Sequence, residues 1–125
     1  MPEVSFPVQV VGGVAVVAAP EEIDISNAAG LRAAVLEAVG HRTRTLVVDM
    51  SQTKFCDSSG LNALVRAHQR AQAEGGEVLL VIPAAAVLRM LALIGVDRMI
   101  PNFATLDDAL GQTPAPAVHP PVPAT

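Results

Sequence analysis

Thr45-Leu46-Val47-Val48-Asp49-Met50 leads through Ser51-Gln52-Thr53-Lys54 into Phe55-Cys56-Asp57-Ser58-Ser59-Gly60-Leu61. The apolar centre Leu46-Val47-Val48 has no polar residue at alternate positions, the pattern of a strand covered on both faces of its sheet. After Gly60, residues Leu61, Leu64, Val65, His68 and Ala71 recur at helical spacing, while Arg66, Gln69, Arg70 and Glu74 fall mostly toward the other side. An acid, two hydroxyls and a glycine therefore stand where a strand gives way to a helix. A helix start carries unpaired backbone N–H groups and about half a positive charge, so an anion is stabilised there. On these residues Ser58 and Ser59 have two readings: caps for the helix, or the receiver and display of a phosphate.

Outward from this stretch, strand and helix alternate. Val8 to Val11 and Val14 to Ala19 are β-branched-rich runs separated by Gly12-Gly13, which predicts an opening β-hairpin with a two-residue turn. Pro20-Glu21-Glu22 ends the second strand, and Asp24, Ser26 and Asn27 are candidate caps for a helix with Ala28, Leu31, Val35 and Val39 on one face and Gly40 as its stop. On the other side Gly75-Gly76 closes the helix that follows Gly60. Val78 to Ile82 reads as another buried strand ended by Pro83, and Ala84 to Ile94 as an apolar helix followed by Gly95. A short strand is expected around Arg98 to Ile100, then a last helix through Leu110 capped by Thr105, with Asp107 and Asp108 in its first turn. Residues 1–111 form one domain on this reading. Residues 112–125 hold five prolines in fourteen residues without apolar periodicity, and are expected to be extended or disordered.

The alternation predicts an α/β fold: an N-terminal β-hairpin leading into a largely parallel mixed sheet of four to five strands, with about four helices. Sites in such sheets gather in the loops at the carboxyl ends of strands. Two loops qualify by their residues, Glu21 to Asn27 and Lys54 to Gly60. If their strands are neighbours, Asp24 and Asp57 flank one surface.

Composition narrows the function. The chain is 51% hydrophobic but only 2% aromatic, so its core is built from Val, Leu, Ile and Ala in thin, close-packed layers. A net charge of −4, the absence of a basic stripe, and the dispersal of Phe6, Phe55 and Phe103 argue against nucleic acid as a partner. A lone Cys56, an N-terminus without a secretory pattern, and no apolar run of membrane-spanning length give the reading of a cytoplasmic protein without a membrane partner. Catalysis finds little support, because there is no Gly-x-Ser-x-Gly elbow and His41, His68 and His119 have no spacing that recommends a triad. Neither metal ligands nor a cofactor motif can be assembled. Cys56 reads as a small buried hydrophobe, since Asp57 beside it opposes thiolate formation.

The chain resembles a STAS domain, and within that group a stand-alone anti-sigma-factor antagonist of the bacterial partner-switching type. The resemblance is carried by the opening hairpin, Glu22-Ile23-Asp24 before the first helix, Val47-Val48-Asp49-Met50, Phe55 through Leu61, the Gly75-Gly76-Glu77 run into a strand, and Pro83 before an apolar helix. It covers about Val8 to Leu110, and departs at Glu21, where relatives carry glycine, and at Cys56, a position more often aliphatic. The resemblance implies a STAS-like fold and a binding switch, not an enzyme. It makes Ser58 the phosphate acceptor, with Asp24, Asp57, Ser58, Ser59, Gly60 and Leu61 as partner-binding residues. The implied partners are an anti-sigma factor that is also an ATP-dependent serine kinase, and a metal-dependent serine phosphatase. The alternative is a STAS scaffold that docks without phosphorylation in a signalling or lipid-transport assembly.

Overall fold

In the computed structural model, which describes residues 6–41 and 44–111, the chain opens with strands β1 (Val8–Val11) and β2 (Val14–Ala18). Val11 pairs with Val14 across the turn, and Gly12 and Gly13 take φ of 59° and 82°, left-handed values that a two-residue hairpin demands and glycine adopts without strain. There follow β3 (Glu22–Ile23), α1 (Ala28–His41), β4 (Thr45–Asp49), β5 (Phe55–Cys56), α2 (Ser58–Ala73), β6 (Glu77–Val81), α3 (Ala85–Ile94), α4 (Val96–Met99), β7 (Asn102–Phe103) and α5 (Leu106–Gly111). The main sheet has the order β1-β2-β4-β6-β7, with β1 antiparallel and every other pair parallel.

The apolar strands are buried on both faces, as their unbroken Val and Leu content requires. Ala15, Val17, Leu46, Val48, Val78 and Leu80 meet Leu31 and Val35 of α1, Leu61, Leu64, Ala67 and Ala71 of α2, and Val87 and Leu91 of α3. The intervening residues Val14, Val16, Val47, Leu79 and Val81 form a second cluster with Ala109 of α5 on the opposite face. Within the first helix Ala28, Leu31 and Val35 are buried as the spacing predicts, but the helix runs on past Gly40 to His41. One glycine near a helix end costs about 1 kcal/mol relative to alanine, too little to stop a helix by itself.

The expected strand at Arg98 to Ile100 is a helical turn instead. Gly95, with φ 85°, ends α3 in the left-handed conformation, and Val96 and Ile100, four residues apart, are both buried, joined by a bond from Ile100 N–H to the Val96 carbonyl. The strand begins only after Pro101, which has no N–H to give but whose carbonyl accepts from Leu80. Thr105 caps α5 as expected, its hydroxyl accepting from the Asp108 N–H. The tail expectation at 112–125 lies outside the described residues.

Helix α2 is fixed to the sheet at both ends. Near its carboxyl end His68, 4% exposed, accepts the Val78 N–H on Nδ1 at 3.1 Å, and burial holds its pKa below the ordinary 6.5. At its amino end Gly60 lies against β3 and β5: a Cβ there would stand 2.5 Å from Ile23 Cγ2 and 2.7 Å from Cys56 Sγ.

Two outcomes are expected. Gly60→Ala should lower stability by roughly 1–3 kcal/mol in urea unfolding, because Ile23 is fully buried and has nowhere to retreat. The unfolded chain binds a proton at His68 more readily than the folded one, so the stability that neutral His68 contributes is complete above pH 6.5 and declines as pH falls toward its lower folded pKa. Glu77, raised by burial, acts in the opposite sense from 4.5 upward. The stability difference between wild type and His68→Gln, which can accept the bond but cannot titrate, isolates the histidine and should shrink as pH falls below 6.5.

Candidate functional site

Beyond the carboxyl ends of β2 and β4 the chain forms a second, two-stranded parallel sheet in which Glu22 pairs with Phe55 and Ile23 with Cys56. The two loops that the sequence singles out are thus bound to each other. Glu21 contributes its carbonyl to both Lys54 N–H and Phe55 N–H, Ile23 accepts from Asp57 N–H at 2.9 Å, and the buried Thr53 donates its hydroxyl to the Pro20 carbonyl at 2.8 Å. Glu21, where the resemblance implied a glycine, needs no left-handed backbone here: no described residue other than glycine has positive φ.

Side chains alternate across this small sheet. Ile23 and Cys56 turn inward, 0% and 2% exposed, which places Glu22, Asp24, Phe55 and Asp57 on the outward face. Asp24 and Asp57 each follow a paired residue, so they stand at equivalent register positions. The condition set by topology, neighbouring strands, is met. Burial pushes the Cys56 thiol up to about 12, with the Asp57 charge adding to it, in keeping with a packing role.

Asp24 opens a tightly bonded turn. Its Oδ1 accepts from Ser26 N–H at 2.9 Å and from the Ser26 hydroxyl, and these bonds, the hydroxyl first, hold its carboxyl below the ordinary range. Asn27 closes the turn, accepting Asp24 N–H on Oδ1 at 2.9 Å and donating Nδ2 to the Glu22 carbonyl at 2.8 Å. Of the three candidate caps, Asp24 and Ser26 therefore shape the turn, and Asn27 takes the position just before α1, its carbonyl accepting from Leu31 N–H. Asp49 does the equivalent for the β4 loop, accepting Ser51 N–H at 3.0 Å.

The cap of α2 is Asp57. Its backbone is extended, and its Oδ1 accepts from Gly60 N–H at 3.1 Å while its carbonyl accepts from Leu61 N–H. That corrects the cap reading of the serines: Ser58 and Ser59 are the first two residues of the helix, and among the described residues neither hydroxyl makes a hydrogen bond. Ser58 is exposed and Ser59 half-buried. Gly60, expected among the partner-binding residues, is buried, and its missing side chain faces Ile23 and Cys56, not solvent. Leu61 is 4% exposed and belongs to the core. Gly60 and Leu61 thus seat the helix end, while Asp24, Asp57 and Ser58 form the accessible part of the surface.

Two residues absent from the expected set share this surface. Ile25, at the tip of the Asp24 turn, is 80% exposed, and Phe55 is 47% exposed. The alternation Phe55-Cys56-Asp57, with Cys56 inward, was the available signal for Phe55; nothing in the sequence marked Ile25. Among the described residues no cluster of His, Cys, Asp or Glu could hold a metal ion, and no helix is long and apolar enough to cross a membrane.

Comparison with known proteins places this geometry. A model of the STAS domain family matches residues 5–109. The anti-sigma-F factor antagonist RsfB of Mycobacterium tuberculosis is 34% identical over 98 residues, spanning 78% of this chain and 80% of RsfB. The crystal structure of an anti-sigma factor antagonist from Mycobacterium paratuberculosis superposes with a TM-score of 0.72 at 34% identity, covering 86% of this chain and 91% of that one. The Bacillus cell fate determinant SpoIIAA in its phosphorylated form shares the fold, with a TM-score of 0.66 at 20% identity over 88% of this chain and all of its own. The opening hairpin, the mixed sheet, the paired loops and these matches agree, and the chain belongs to the STAS domain family.

Proposed function

We propose that this protein is an anti-sigma-factor antagonist, a phosphorylation-controlled binding protein and not an enzyme. Unphosphorylated, the surface around Asp24, Asp57, Ser58 and Ser59, held in shape by Gly60 and Leu61, binds an anti-sigma factor and so frees the sigma factor. That partner, acting as an ATP-dependent kinase, modifies Ser58. The Ser58 Oγ attacks the γ-phosphorus of ATP, an O–P bond forms as the bond to ADP breaks, and the hydroxyl proton is released. A metal-dependent serine phosphatase hydrolyses the ester and restores the binding form. The names of the relatives RsfB and the Mycobacterium paratuberculosis protein support the antagonist role.

The observation that carries the reading is the spare Ser58 hydroxyl. Because Asp57 supplies the helix cap, Ser58 is exposed at the first turn of α2 with no structural bond to lose. Phosphate there adds about −1.5 to −2 charges. The helix start offsets a small part of this, 0.3 to about 1 kcal/mol, whereas Asp24 and Asp57 oppose it. Covering the modified surface with an unchanged partner then costs desolvation and like-charge repulsion, and each 1.4 kcal/mol so lost is about tenfold in affinity. The switch needs no rearrangement of the fold.

Incubation with the host's anti-sigma-factor kinases and ATP, each purified and tried in turn, should add a single phosphate by intact mass, and Ser58→Ala should add none; an unmodified wild type across the set would favour the docking scaffold. In a calorimetric titration Ser58→Asp should bind the anti-sigma factor at least about tenfold more weakly than wild type, with a nearly unchanged melting temperature, and equal affinity would count against the charge mechanism.

A further inference from the structure

We propose that Ile25 and Phe55 are the apolar anchors of this surface, and that the partner fits them with apolar side chains set among arginine or lysine. This rests on the antagonist reading and goes on to name the chemistry of the partner's face. Seven large hydrophobic residues are more than a third exposed among the described residues. Val8 and Val10 lie on the edge strand β1, and Leu93, Ile94 and Met99 on α3 and α4. Ile25 and Phe55 lie in the same two loops as the carboxylates and the serine.

Register gives their placement. Phe55 stands opposite Glu22, Cys56 opposite Ile23, and Asp24 and Asp57 come next, with Ile25 and Ser58 one residue further along. Ile25 and Phe55 therefore bracket the Asp24–Asp57 row. Ile25 is held out to solvent by a turn that is closed on itself by the Asp24, Ser26 and Asn27 bonds, so little conformational freedom remains to be lost when a partner covers it. An apolar residue left exposed on a rigid turn gains most by burial in a complex, since nothing in the monomer covers it.

Charge selects the partner. Glu21, Glu22, Asp24 and Asp57 surround the two apolar residues, against a single cation, Lys54, in the same loops. The complementary face is cationic with an apolar pocket: the carboxylates steer it and fix its register, and Ile25 and Phe55 supply the contact that excludes water. This division makes different signatures for the two kinds of residue. Replacing a carboxylate should lower the salt dependence of binding, whereas replacing an anchor should weaken binding equally at every salt concentration.

The test is a titration of the anti-sigma factor that binds wild type, at low and high salt, with Ile25→Ser, Phe55→Ser, Asp24→Asn and Ser58→Asp, each checked for melting temperature. Ile25→Ser should lose about tenfold in affinity with an unaltered salt slope and melting temperature. Phe55→Ser should behave alike, and Asp24→Asn should flatten the slope. If Ser58→Asp weakens binding but Ile25→Ser and Phe55→Ser bind as wild type does, the anchors are wrong and the switch stands. If no anti-sigma factor of the host binds wild type, the functional reading falls and the anchors with it. Because Ile25 is 80% exposed, its variant separates loss of contact from loss of fold even if Phe55→Ser unfolds.

Discussion

The amino end of α2 can approach the sheet only because residue 60 has no side chain. The space that a Cβ would need is occupied by Ile23 of β3 and Cys56 of β5, the two inward residues of the small parallel sheet. That single contact joins β3 to the β5–α2 junction, more than thirty residues later in the chain. With it in place, β3 lies beside β5, Asp57 turns into the cap position, and Ser58 emerges as the first helical residue. Interiors packed as densely as this transmit a local displacement rather than absorb it. The site therefore depends on a residue buried beneath it.

Structural duties in the motif fall on the residues around the serine and leave the serine free. Asp57 satisfies the helix N-terminus, Gly60 and Leu61 seat the helix, Cys56 fills the space beneath, and Asn27 with Ser26 fixes the Asp24 turn. A hydroxyl bound into a cap would be costly to modify, since about 1 kcal/mol of helix stability would go with it. Ser58 carries no such cost. The proposed modification would thereby be uncoupled from folding, as a reversible binding switch requires: the surface would change in charge while the scaffold stayed as it was.

Much of the fold was legible because local chemistry decided it. Gly12-Gly13 fixed the hairpin, the unbroken runs at Leu46 to Val48 and Val78 to Ile82 marked the central strands, and Gly75 and Gly95 marked helix ends through the left-handed backbone that they adopt. Where the reading failed, a tertiary contact outweighed a local preference. Arg98 to Ile100 read as a short strand, and it is the common burial of Val96 and Ile100, one helical turn apart, that makes the segment a turn of helix. Gly40 is a weak stop, and α1 continues through it.

The sequence by itself determined the α/β architecture, the order of its elements, and the presence at one strand-to-helix junction of an acid, two serines and a glycine, because periodicity and turn chemistry act over a few residues. Only the tertiary structure decided how those residues divide the work. Whether Asp57 or a serine caps α2, whether Gly60 faces a partner or the core, and whether Ile25 is covered or bare all depend on what lies across from them. For Asp57 and Gly60 that neighbour is β3, more than thirty residues earlier in the chain, and its position follows from sheet register and close packing, which no short stretch of sequence contains.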